Sequence, residues 1–184
     1  MKTQLVYAAL MVSGTLLLGH AQADDSAFSA HVDDKGKISF PKNFKIDMVH
    51  LGSWFVPEGD ASGFYDVYTE KESVLAYRET GKFPDGATLV KELRAGEKGD
   101  YSTGSGISYS SSTELKQWFV MVKDSQGRFP DNPMWGNGWG WALFTPAAQS
   151  SNQASDYKQD CLGCHVPAAD KDWVYTEAYP VLKQ

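Results

Sequence analysis

Apolar and polar positions divide the chain into short alternating segments. Ile46–Val56 is rich in aromatic and β-branched residues, and Phe64–Thr69 repeats that character after the turn-like stretch Pro57–Gly63. Both runs predict strands. Thr69-x-x-Glu72 has the spacing of a capping box, and Glu70–Thr80 predicts a helix stopped by Gly81. In Pro84-Asp85-Gly86, proline presets one turn dihedral and glycine supplies the positive one. Further strands are predicted at Ala87–Arg94, Trp118–Lys123 and Trp139–Phe144. The Gly- and Ser-rich Gly96–Ser105 predicts a loop, and Gly127–Gly138 is dense in Pro, Gly and Asn. Asp24–Gly36 reads as a loose acidic lead-in, and Ala147–Asp156 as a polar connector. Short strands at this spacing with one clear helix predict a mainly β (α+β) domain, an antiparallel sheet with one or two helices.

The alternation has one irregularity. In Ala87–Arg94 a period of two places Leu89, Lys91 and Leu93 on one face, with Thr88, Val90, Glu92 and Arg94 on the other. If the leucine face packs inward, Lys91 is a cation where a leucine is expected. Burial penalises the charged form and leaves a free amine able to act as a nucleophile. The alternative is an edge lysine that reaches water or pairs with a carboxylate. Trp54, Phe55, Trp118, Phe119, Trp135, Trp139 and Trp141 pose a similar choice between plain core and the wall of a site.

The amino-terminal pattern is of another kind. Lys2, an apolar run from Leu5 to Leu18 and then Ala21-Gln22-Ala23 describe a secretory signal peptide over residues 1–23. The run is too short to span about 30 Å of hydrocarbon. The expectation is cleavage after Ala23, a domain over residues 24–184, and export to the periplasm with no membrane span after processing. Removing residues 1–23 takes away one lysine and no acid, leaving a net charge of −7. The whole chain has 184 residues with 23 acidic against 17 basic side chains, which argues against nucleic acid as a partner.

Both cysteines fall in Cys161-Leu162-Gly163-Cys164-His165, the C-x-x-C-H spacing of c-type haem attachment. Two thiols three residues apart each add to a vinyl group of one porphyrin, and the adjacent histidine is held beneath the iron. The expectation is one covalently bound haem c, with Cys161 and Cys164 as attachment points and His165 as axial ligand. A redox C-x-x-C site lacks its βαβ context here, and zinc would need His31 and His50 as further ligands. Val166–Gln184 contain neither methionine nor histidine. A sixth ligand would have to come from Met48, Met121, Met134, His31 or His50, each more simply read as a core or surface residue. An open distal side follows, suited to a small ligand.

Phe83-Pro84-Asp85-Gly86 running into Leu89-Val90-Lys91-Glu92-Leu93, then Val122-Lys123-Asp124-Ser125, the late C-x-x-C-H and the terminal Tyr179-Pro180-Val181-Leu182 resemble the cytochrome P-460 family. The resemblance implies an exported, mainly β, five-coordinate mono-haem protein that usually forms homodimers. It implies binding or oxidation of small nitrogen species, hydroxylamine or nitric oxide, with electrons passing to another cytochrome. It further implies that Lys91, in the matching V-K-E segment, bonds to a haem meso carbon. Hydroxylamine-oxidising members carry a distal carboxylate; its place falls on Phe119, which does no general-base work, while Glu114 lies near it in sequence. A phenylalanine there resembles the aromatic pockets of the c′-beta relatives, which bind nitric oxide without turnover. The alternative function is therefore a non-enzymatic gas binder; a simple electron-transfer cytochrome is a third.

Overall fold

The computed structural model describes residues 28–183. The expected signal peptide lies outside them. In chain order the elements are α1 (Phe44–Asp47), β1 (Val49–Val56), β2 (Gly63–Thr69), α2 (Lys71–Thr80), β3 (Thr88–Tyr101), β4 (Gly104–Lys123), β5 (Trp135–Gly136), β6 (Trp139–Phe144), α3 (Tyr157–Asp160) and α4 (Leu162–His165). Three 3₁₀ turns follow at Val166–Lys171, Thr176–Ala178 and Pro180–Leu182. The strands form one antiparallel sheet in the order β1-β2-β3-β4-β6-β5. The fold is thus mainly β with minor helix, as the pattern predicts.

Three local expectations are corrected. Ile46 belongs to α1 and is 87% exposed, so the strand begins only at Val49. The Gly96–Ser105 segment is not a loop: β3 and β4 continue as a hairpin through Tyr101 and Gly104, with Ser102 and Thr103 as its turn. Its backbone completes the ladder although glycine and serine add little packing. The Thr69–Glu72 capping box does not form. Glu70 is the N-cap of α2, and its carboxylate accepts from Thr88 N–H and from the Thr69 and Ser73 hydroxyls, all at 3.0 Å. The helix ends as expected, on Gly81 in the left-handed region.

Register fixes which residues share a face. Gly52, Val67, Lys91, Phe119 and Leu143 form one row across five strands, flanked by Leu89, Met121 and Trp141. This face is covered by α2 and the carboxy-terminal segment, in a core that includes Leu51, Val67, Leu89, Trp139, Trp141, Tyr157, Tyr179 and Leu182. The opposite face carries Val90, Trp118, Val120, Val122 and Phe144, and is covered by the amino-terminal segment through Ile38, Phe40 and Phe44. Gly52 is required by close approach: a β-carbon there would collide with the Ala178 carbonyl. Trp139 and Trp141 are 0% and 2% exposed. Burying one such side chain contributes roughly 2–3 kcal/mol.

Candidate functional site

Asp156 caps α3, its carboxylate accepting from Lys158 N–H at 2.8 Å. The chain then turns directly into α4, which carries Cys164 and His165, with Cys161 at the junction. Tyr157, buried, stacks on Trp141 with centroids 5.9 Å apart, and Trp141 meets the His165 ring edge-on at 4.9 Å. Cys161 and Cys164 are unpaired thiols, one half-buried and one exposed. Burial pushes the Cys161 thiol up to about 11, aided by Asp160 and opposed by Lys91.

His165 Nδ1 lies 2.7 Å from the Trp173 carbonyl. A carbonyl only accepts, so Nδ1 donates. Burial lowers the imidazole to about 4 despite this bond, so the ring is neutral near pH 7 and Nε2 keeps its lone pair for a metal. The carbonyl is aimed by an unusual stretch of backbone. Asp172 and Trp173 both adopt left-handed φ, 56° and 66°, where a helix end ordinarily takes glycine. Each such residue costs about 1–2 kcal/mol. Tyr175 hydroxyl donates to the Cys164 carbonyl at 2.6 Å, tying the segment after α4 back to it.

The sheet supplies the other wall. Lys91 sits on an interior strand between Leu89 and Leu93, which are 4% and 2% exposed, so the apolar-face placement predicted from alternation is realised. It is not an edge residue. Its Nζ lies 4.1 Å from the Phe119 centroid and 5.5 Å from that of Tyr65. Tyr65 in turn stacks on Trp54. No carboxylate is paired with Lys91 among the described residues. Burial lowers its ammonium to about 8, against the opposing pull of the Cys164 and Cys161 thiols. Its charge also acts on His165. The structure therefore gathers the C-x-x-C-H run, Lys91 and Phe119 at one place.

The remaining candidates lie apart. Glu114 is exposed on the hairpin arm. His50 is exposed on the opposite face, its Nε2 3.2 Å from Asp66 Oδ1. Met121 is a core residue, and Met48 and Met134 pack against the buried clusters. His31 is half-buried in the lead-in, where burial lowers its imidazole despite the field of Glu70. The aromatic residues that sequence could not separate now divide: Trp139, Trp141 and Trp54 belong to the site face, Trp118 and Trp135 to the other. Trp173 and Tyr175 were missed by sequence reasoning, because one acts through its carbonyl and the other through a hydrogen bond to backbone.

Two unpaired thiols and a neutral histidine with Nε2 available, facing a wall of aromatic rings, form a donor set that fits a haem. Among curated proteins nothing matches the chain. The family model described as Cytochrome P460 matches residues 41–176, which takes in the whole sheet, Lys91, Phe119 and the C-x-x-C-H run but not the terminal Tyr179–Leu182 segment. Over most of its length, and with haem binding as the common property, this chain belongs to the Cytochrome P460 family.

Proposed function

We propose that the protein is an exported, periplasmic mono-haem c-type cytochrome that binds or oxidises small nitrogen species, hydroxylamine or nitric oxide. The observation that carries this reading is the His165–Trp173 bond beside two unpaired thiols, directly across from Lys91. Cys161 and Cys164 would tether the haem, His165 would bind its iron through Nε2, and Lys91 would bond to a ring carbon, the new N–C bond replacing one N–H and one C–H bond while two protons and two electrons pass to a peroxide-class oxidant. When bound, the haem supplies an iron site for the nitrogen ligand and a redox couple for its electrons. Phe119 and Tyr65 flank the Lys91 amine with aromatic faces. Homodimer formation and electron transfer to another cytochrome belong to the same reading, by likeness to the family.

A second reading, capture of nitric oxide without turnover, is favoured by one observation. The row Val67, Lys91, Phe119 and Leu143 contains no carboxylate to take a substrate proton. Two measurements decide between them. The reduced, ligand-free holoprotein should show a red-shifted, broadened Soret band that reverts in Lys91→Ala, and it should oxidise hydroxylamine with an artificial acceptor. An ordinary high-spin c-type spectrum, identical in both proteins, would leave Lys91 without the ring bond. No turnover above free haem would leave the protein a gas binder.

A further inference from the structure

Lys123 closes β4 and Trp139 opens β6, and the two are register partners on the site face of the sheet. Both reach the same residue of the carboxy-terminal segment. Lys123 Nζ is 2.8 Å from Asp172 Oδ1, and Trp139 Nε1 donates to the Asp172 carbonyl at 2.9 Å. The lysine side chain is 12% exposed and lies over the Trp139 ring, 4.9 Å from its centroid. Asp172 is the first of the two left-handed residues, and Trp173, the second, presents its carbonyl to His165 Nδ1. A third bond, from Trp173 N–H to the Ala168 carbonyl at 2.8 Å, ties the same turn to the helix it ends.

We propose that Lys123 and Asp172 are positioning residues, whose ion pair holds the Asp172–Trp173 backbone so that the Trp173 carbonyl polarises His165 and sets the strength of its bond to the haem iron. Neither residue touches the imidazole. The device works because a left-handed pair of non-glycine residues does not hold its own conformation. A rigid sheet end grips it by both the side chain and the backbone of Asp172. Hydrogen bonding at the far nitrogen of a metal-bound histidine raises its donor strength, and loss of such outer partners costs 10–100-fold in affinity or activity. The inference rests on His165 as axial ligand, as proposed above.

The test is resonance Raman of the ferrous holoprotein, reading the iron–histidine stretching band, with thermal unfolding recorded alongside. Lys123→Met and Asp172→Asn should both shift the band to lower frequency, and Lys123→Arg, which keeps the charge, should restore it. Asp172→Gly, which loses the ion pair but adopts the left-handed backbone without strain, should shift it less than Asp172→Asn does. Bands unchanged in all four variants would overturn the proposal, even if melting temperatures fall, because the pair would then only hold the chain terminus. Absence of an iron–histidine band in a parent protein whose ferrous spectrum is five-coordinate and high-spin would instead overturn the assignment of His165 as ligand, so the two failures are distinguishable.

Discussion

Lys91 and Glu92 are neighbours on one strand, and alternation sends them to opposite faces of the sheet. Both are placed against apolar surroundings, yet they are treated in opposite ways. Glu92, 1% exposed, is surrounded by Lys45, by Arg94 Nε and by Trp118 Nε1, the last at 3.0 Å. Burial alone would raise its carboxyl, but the hydrogen bonds from Lys45, Arg94 and Trp118 outweigh it and hold the group below the usual range. Lys91 meets two aromatic rings and two thiols, and its ammonium is pushed down. A buried charge satisfied from every side serves the fold. A buried charge left with only π-faces is available for chemistry.

The comparison can be broken most forcefully at Glu92. Glu92→Ala leaves Arg94 Nε and Trp118 Nε1 without their acceptor and releases Lys45, a tie between α1 and the sheet. The expected loss is about 3 kcal/mol, read from the urea midpoint. Acid unfolding sharpens the point. A carboxyl whose folded pKa is depressed contributes stability that is present above its unfolded pKa and lost as pH falls through the folded one. Wild-type stability should therefore fall below about pH 4.5 with a component that Glu92→Gln lacks. A parallel pH dependence in the two proteins would show that Glu92 does not carry it.

Lys91→Met should be far milder. It removes a buried cation without orphaning a partner, so stability should hold or rise by up to about 1 kcal/mol. A loss as large as that of Glu92→Ala would mean that the lysine is structural. The smallest effect is expected at Asp66, which faces Glu92 across the β2–β3 register and meets exposed His50 and Ser53. Asp66→Asn should change the unfolding free energy by less than about 0.5 kcal/mol, because solvent screens such groups.

Local pattern made much of this visible. β6 spans the residues its apolar run predicts, and α2 differs by one residue at its start. Period two groups Lys91 with Leu89 and Leu93 but leaves open whether that strand is interior or at an edge, and C-x-x-C-H is a contiguous motif. The hairpin arm was hidden because backbone pairing leaves no trace in a Gly- and Ser-rich segment. Ile46 was misplaced because a single helical turn is shorter than any periodicity can register. The grip on the Trp173 carbonyl was illegible for a deeper reason. It depends on a main-chain atom, aimed by strain and held by residues from distant strands, and no residue type marks such a role.

The strand order carries a consequence for how the molecule assembles. Nearly every strand pairs with its neighbour in sequence. The thiols and His165 belong to the portion of chain that follows the last strand, and that portion roofs the face bearing Leu51, Val67, Leu89 and Trp141. Until it docks, that face is covered only by α2. That interval is the time at which the chain is most prone to aggregate.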